Sequence, residues 1–284
     1  MLRILVLGCS GLIGYNLCRW WGVRSDVEVH GVCRRLDEAS KYLKTIGVNV
    51  LCVGSVHELR HKQIENYDYV VNCIGITKHD RRSGQLDDLY NANVGIPVCL
   101  SQVCESLNTT FVQISTDCVF DGLVGSYTTY DAPNATDDYG KSKAFAERLL
   151  VKDSLVVRTS TVGFHPTRRE GLFDWFANTS SQDVKGFQGA IYSGLPTTEF
   201  ADRLLAFLTA NEVKRGLFNL SGPKITKYEL LRLLNDFGNF GKQINIDTEV
   251  KIDRSLVCSV ELRSNVSRNW AEMVERECVL NGYV

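Results

Sequence analysis

A chain of 284 residues, 44% of them hydrophobic and 23% charged, is long enough to bury one large core or two modest ones. Its net charge of -1 excludes the broad basic field that nucleic acid or an anionic membrane surface would require, so an anionic ligand must be met by local residues. Ten cysteines without a CxxC pair, several inside apolar runs, suit a reducing cytosol rather than a disulfide framework.

The first element is an apolar run at Ile4–Leu7. With Cys9 it superficially resembles a lipoprotein cleavage site, but it is shorter than the roughly 7–15 apolar residues of a signal peptide, and we read it as a buried strand. Gly8-Cys9-Ser10-Gly11-Leu12-Ile13-Gly14 follows, opening a helix over Ile13–Trp21 that Trp20 and Trp21 close as packing anchors. Three glycines between a strand and a helix are the context of a dinucleotide turn. Gly8 serves the tight turn, Gly11 the approach of backbone to phosphate, and Gly14 the close packing of helix on strand, with pyrophosphate at the positive helix end. A second strand, Val27–Val32, ends at Cys33-Arg34-Arg35, where an NAD-preferring site places an acid. Two arginines there suit the 2′-phosphate of NADP instead.

Strands at Val48–Val53, Tyr69–Cys73, Phe111–Ser115 and Leu155–Arg158 alternate with helices at Asp87–Leu107 and Lys141–Val151. This alternation predicts an α/β fold, a doubly wound parallel sheet. Between them, His57-Glu-Leu-Arg-His61 matches the HExxH pattern of zinc hydrolases, but no third ligand is indicated, and solvated helix residues account for it. Tyr139 and Lys143 stand one helical turn apart, so an ammonium can favour the phenolate of a neighbouring acid/base tyrosine.

Past Thr161 the winding loosens. A polar stretch carries His165, Arg168 and Arg169, with His165 a candidate contact to nucleotide phosphate or a plain surface residue. Helices are expected at Leu172–Asn178, Thr198–Thr209, Thr226–Phe237 and Asn269–Glu277, which make a smaller C-terminal α/β lobe. We divide the chain into a dinucleotide-binding domain over 1–163 and a substrate-binding lobe over 164–284, with some segments returning to the first domain. No apolar run approaches the roughly 18 residues that span a bilayer.

Taken together, several motifs carry a resemblance over nearly the whole chain. They are the GxxGxxG turn, Val71-Asn-Cys73-Ile74-Gly75, Asn93, Ser115-Thr116-Asp-Cys118-Val-Phe-Asp-Gly122, Tyr139 with Lys143, Arg158-Thr-Ser160 and Gly194-Leu-Pro-Thr197. The chain resembles the extended short-chain dehydrogenase/reductases, and most of all the dTDP-4-dehydrorhamnose reductase branch. The resemblance implies a Rossmann-type domain, NADP(H) as cofactor, and reduction of a nucleotide-linked 4-keto-6-deoxysugar in cytoplasmic synthesis of surface-glycan precursors. It implies that Thr116 bonds the substrate carbonyl, that Tyr139 donates its proton, and that Lys143 holds the nicotinamide ribose while lowering the tyrosine's pKa. Cys73, Ile74 and Gly75 would line the cofactor, and Asn93 would position the site.

Two departures stand out. The branch usually has tyrosine where this chain has Cys118, and the related GDP-fucose synthases carry a cysteine that takes part in epimerisation; Cys118 is thus either an acid/base or an inert, packed thiol. Cys73-Ile74-Gly75 also replaces the usual alanine-rich form. A non-catalytic regulatory subunit of the same fold is the alternative from another class, against which Thr116, Tyr139 and Lys143 argue. The expected partner is a nucleotide sugar, with no nucleic acid, membrane or metal, and the oligomeric state is open, a homodimer included.

Overall fold

The apolar runs that alternate along the first half become parallel strands because each is buried on both faces. In the computed structural model, which describes residues 1–59, 61–78, 80, 84–150, 152–167, 171–210, 215–259, 262 and 268–283, the chain begins β1 (Leu2–Leu7), α1 (Leu12–Trp21), β2 (Val27–Cys33), α2 (Glu38–Thr45), β3 (Asn49–Cys52), α3 (His61–Ile64) and β4 (Tyr69–Asn72). It continues with α4 (Leu86–Tyr90), a π-helical turn (Asn91–Gly95), α5 (Ile96–Ser106), β5 (Thr110–Thr116), α6 (Asp138–Leu150), β6 (Leu155–Thr159), β7 (Thr161–Val162) and α7 (Leu172–Asn178). The remainder is β8 (Asp183–Phe187), β9 (Ala190–Tyr192), β10 (Leu195–Pro196), α8 (Thr197–Thr209), β11 (Gly216–Asn219), β12 (Ile225–Thr226), α9 (Lys227–Phe237), β13 (Gln243–Asp247), β14 (Ile252–Asp253) and α10 (Trp270–Leu280).

Seven strands form one parallel sheet in the order β11-β6-β5-β4-β1-β2-β3. This is the expected doubly wound α/β architecture. Alternation along each strand divides the core into two. Ile4 and Val6 of β1 join the cluster beneath α1, α8 and α10, while Leu5 and Leu7 join the cluster beneath α5 and α6. Strand order reverses between β1 and β4, which opens a crevice at their carboxyl ends.

The helix expected over Asp87–Leu107 is interrupted. A π-helical turn separates α4 from α5, and Pro97, which has no N–H to give the ladder, stands in the first turn of α5 directly after it. Trp21 is buried and donates its indole N–H to the Ala201 carbonyl of α8 at 3.0 Å, so it anchors α1 against the C-terminal third. That third contributes β11 to the edge of the main sheet and builds small sheets of its own, β12-β9-β14, β13-β8 and β10-β7. Among the described residues no helix is long and apolar enough to cross a membrane, and all ten cysteines are free thiols.

Candidate active site

The crevice is floored by the first glycine turn. Gly8 leaves β1 at φ +80°, a left-handed conformation that side chains disfavour, and its N–H bonds the Val32 carbonyl at 2.9 Å. A Cβ at Gly14 would lie 2.3 Å from the Gly8 carbonyl oxygen, so only glycine lets α1 start this close to the strand. Gly11 caps the helix with no side-chain hydrogen bond, and no acid follows in the first turn at Leu12 and Ile13. The leading N–H groups of α1 thus have neither a capping side chain nor a first-turn carboxylate to neutralise them, which suits an anion at the positive helix end. The Gly8 turn touches the end of β4, since a Cβ there would come within 3.2 Å of the Cys73 and Ile74 backbone. Arg34 and Arg35 lie exposed just past β2, while the nearest acid, Asp37, accepts from the Ser40 N–H and serves as the cap of α2. These features fit the diphosphate and the 2′-phosphate of NADP(H).

On the other side of the crevice β5 ends at Thr116 and α6 begins at Asp138, which brings Tyr139 onto the first helical turn. The Thr116 hydroxyl accepts from the Cys118 N–H at 3.1 Å. Burial drives the Tyr139 phenol above its ordinary value, Cys118 adds to this, and hydrogen bonding from Thr116 opposes it. Lys143 is buried, and its ammonium donates to the Ile114 carbonyl at 2.7 Å. Burial lowers its pKa to about 8, with Glu147 and Cys73 opposing. The ammonium is thus turned toward the strand-end backbone, and desolvation dominates the phenol, which stays protonated.

Asn93 sits on the π-helical turn and is fully buried. Its side chain accepts from the Ile76 N–H at 2.9 Å and donates to the Ile76 carbonyl and the Ser142 hydroxyl, each at 3.0 Å. It ties Ile76, the residue after Cys73, Ile74 and Gly75, to α6 and is itself closed off from the crevice. Behind Thr116, Glu147 takes a bond from the Ser115 hydroxyl at 2.6 Å and bridges Arg158 at 2.7 Å, both ions nearly inaccessible. The guanidinium also lies 4.9 Å from the Phe120 ring, which stacks on Tyr127 at 4.0 Å. The motif from Ser115 to Gly122 is therefore braced through α6 and β6.

Cys118 lies at the mouth. Burial pushes its thiol up to about 11 and the neighbouring Asp117 adds to this, so the sulfur is a neutral thiol near pH 7. Arg254 approaches it, with Nη1 4.0 Å from Sγ and Nε donating to the Phe120 carbonyl at 2.8 Å. His165 is placed elsewhere. Its N–H bonds both Asp174 carboxylate oxygens at 3.1 and 3.2 Å, and its ring meets Tyr15 of α1 edge-on at 5.2 Å, so it belongs to the packing around α1 rather than to the cluster of Thr116 and Tyr139. The side chains of His57 and His61, and all of Arg168 and Arg169, lie outside the described residues. Among the described residues no group of three or more histidine, cysteine or acidic side chains could hold a metal ion.

Sequence reasoning missed two contributors. Glu147 had a signal, standing one turn beyond Lys143 on α6 with Arg158 as a charge inside an apolar strand. Arg254 had none, because it reaches Cys118 only through the packing of the segment after β14 against the loop after β5.

A sequence model of the family described as the RmlD substrate binding domain matches residues 2–232. The spore coat polysaccharide biosynthesis protein SpsK of Bacillus subtilis is 30% identical over 172 residues, which is 58% of this chain and 55% of that protein, so the chain spans about half of that relative's length. The dTDP-4-dehydrorhamnose reductase of Aggregatibacter actinomycetemcomitans is 26% identical over 240 residues, 81% of this chain and 76% of that one. The fold is shared with the crystal structure of a dTDP-4-dehydrorhamnose reductase from Bacillus anthracis in complex with NADP, at a TM-score of 0.75 and 16% identity, covering 99% of each chain.

Proposed function

Since this chain belongs to the RmlD substrate-binding-domain family, within the dTDP-4-dehydrorhamnose reductase-like extended short-chain dehydrogenases, we propose that it is an NADP(H)-dependent oxidoreductase that reduces a nucleotide-linked 4-keto-6-deoxysugar during synthesis of a surface polysaccharide precursor. The observation that carries this reading is the convergence of Thr116, at the end of β5, with Tyr139 and Lys143, on the first turns of α6, on the β4 side of the strand-order reversal whose other side carries the Gly8–Gly14 turn. The cofactor, when bound, supplies the hydride. Gly8, Ser10, Gly11, Leu12, Ile13 and Gly14 would hold its diphosphate, Arg34 and Arg35 its 2′-phosphate, and Cys73, Ile74, Gly75 and Lys143 its nicotinamide end.

The protein's own part is protonation and placement. Tyr139 stays a neutral phenol because burial disfavours its anion, and a loaded donor is what a carbonyl oxygen needs as negative charge builds on it. The Thr116 hydroxyl, which accepts from the Cys118 N–H and donates to Asp117 Oδ1 at 3.2 Å in the free protein, would turn its proton to that oxygen as a second hydrogen bond. Lys143, positively charged below about pH 8, stabilises the phenolate left behind once its Nζ turns from the Ile114 carbonyl. Cys118 is a neutral thiol and fits packing better than base-assisted epimerisation. The C-terminal stretch 164–284 supplies the substrate side of the crevice, and residues 1–163 the cofactor side.

The test mixes the purified chain with NADPH and UDP-, GDP- and dTDP-linked 4-keto-6-deoxysugars and follows NADPH absorbance. We expect turnover of at least one sugar and a loss of at least about 100-fold in kcat for Tyr139→Phe, with NADPH affinity nearly unchanged. Near-normal turnover in that variant would sink the mechanism. NADPH binding without turnover of any sugar would favour a regulatory subunit instead.

A further inference from the structure

Two cysteines stand side by side at the carboxyl ends of neighbouring strands, next to the arginines that follow β2. Parallel pairing of β2 with β3 sets Gly31 opposite Val50, Val32 opposite Leu51 and Cys33 opposite Cys52. Side chains alternate between the faces of a sheet, so Cys33 and Cys52 share the face of Val29 and Val50, the one covered by α1. The Cys52 thiol leans across to β2 and donates to the Arg34 carbonyl at 3.5 Å, while the Val53 N–H bonds the Cys33 carbonyl at 3.0 Å. Neighbouring strands run about 4.8 Å apart, inside the roughly 4.4–6.8 Å between Cα atoms that a disulfide spans.

The two thiols differ in access. Cys52 is exposed at the end of β3, whereas Cys33 is buried in the core beneath α1. Behind Cys33 the space is closed by two more thiols. A Cβ on Gly31, two residues earlier on the same face, would lie 2.8 Å from both Cβ and Sγ of Cys9 and 3.4 Å from Sγ of Cys18. Hydrogen bonding with Cys9, and then burial, push the Cys33 thiol above its ordinary range, with Ser40 and Cys52 opposing. An oxidant arriving from solvent thus meets the Cys52 sulfur first, with a neutral Cys33 thiol as its neighbour.

We propose that Cys33 and Cys52 form a modification site for oxidants of the hydroperoxide class, and that the disulfide closed there weakens NADP(H) binding through the Arg34–Arg35 segment. With hydrogen peroxide, the Cys52 sulfur attacks and the O–O bond breaks; one oxygen stays on sulfur as a sulfenic acid and the other leaves as water. The Cys33 sulfur then attacks the Cys52 sulfur, the S–O bond breaks, and the thiol proton leaves with that oxygen as a second water. Two thiols have lost two electrons and two protons to one peroxide. The disulfide also removes the S–H that bonds the Arg34 carbonyl, so the backbone carrying both guanidiniums loses a tie. The effect on the cofactor rests on the 2′-phosphate reading of Arg34 and Arg35; the modification site does not.

The experiment exposes the full chain to a small molar excess of hydrogen peroxide, blocks the remaining thiols with N-ethylmaleimide and maps unreduced peptides by mass spectrometry, in wild type, Cys33→Ser and Cys52→Ser. We expect a Cys33–Cys52 linked peptide to form ahead of any other disulfide and ahead of oxidation at the exposed Cys99. It should vanish with dithiothreitol and be absent from both variants, with Cys33→Ser leaving a Cys52 sulfenic acid that dimedone traps. NADPH affinity, by fluorescence titration, should fall about three- to tenfold in oxidised wild type, the scale of one hydrogen bond, recover with dithiothreitol, and hold in peroxide-treated Cys52→Ser. Absence of the linked peptide, or Cys33 joined to Cys9 instead, overturns the site. The linked peptide with unchanged NADPH affinity overturns its coupling to the cofactor. Linkage in a chain that never binds NADPH would keep the site and reject the cofactor reading; NADPH-dependent turnover of a keto sugar without linkage would do the reverse.

Discussion

Glu147→Ala removes the acid at the centre of the buried brace. The carboxylate accepts both Nε and Nη2 of Arg158 and the hydroxyl of Ser115, at 2.6 to 3.1 Å, with almost no solvent access to either ion. Breaking such a pair from one side leaves a buried guanidinium uncompensated, which costs about 3–5 kcal/mol. For a domain of this size that corresponds to a fall in Tm of roughly 6–20 °C. Replacing both partners, as Glu147→Met with Arg158→Met, leaves no orphaned charge and recovers most of the loss, because apolar pairs of similar volume substitute well for buried ions. Urea unfolding of wild type, both single variants and the double variant closes the cycle. A single-variant loss under about 1 kcal/mol, or a double variant worse than the sum of the singles, would refute the brace. Lys143 should respond as well, since Glu147 opposes the lowering of its pKa; the alkaline limb of activity should move to lower pH in Glu147→Gln.

Charge removal at Arg34 and Arg35 together should weaken NADPH by about 10- to 100-fold and NADH little, the difference of a lost charge-assisted contact to phosphate, read by fluorescence titration; equal weakening of both cofactors would reject the 2′-phosphate assignment. Lys143 is lowered by burial to about 8, so the native state sheds its proton before the unfolded chain does, and its cost is full below pH 8 and relieved as pH rises toward the ordinary lysine range. Unfolding free energies of wild type relative to Lys143→Met should therefore rise between pH 8 and 10, by on the order of 2 kcal/mol, and a flat difference would contradict the burial argument. The Cys118 thiol, pushed up to about 11, should alkylate more slowly than the exposed Cys52 and Cys99 at pH 7.5, as mapped by mass spectrometry; preferential labelling of Cys118 would show an activated thiol and revive epimerisation.

Much of the first half was legible because its signals are local. A parallel strand buried on both faces reads as a short apolar run, and β1, β2, β4, β5 and β6 fall within a residue or two of the runs that suggested them. The glycine turn was readable for the same reason: the contact that excludes a side chain at Gly14 is with Gly8, six residues away. Thr116, Tyr139 and Lys143 were singled out by motif, and their proximity follows from β5 and α6 being consecutive main elements of one winding. The interruption at Asn91–Gly95 was not legible, since the apolar pattern runs through it; only the bonds of Asn93 to Ile76 and Ser142 show what the π-helical turn is for.

The amino-acid order alone thus determined the parallel sheet, the glycine floor and the tyrosine–lysine pair, because each depends on neighbours within a turn, a strand or one crossover. The tertiary structure alone decided the direction of the Lys143 ammonium, the further upward shift of the Tyr139 phenol and the Cys118 thiol, the withdrawal of His165 into the packing around α1, and the arrival of Arg254 beside Cys118. Those depend on desolvation and on contacts between residues up to more than a hundred positions apart, and neither burial nor long-range approach has a period that a linear pattern can carry.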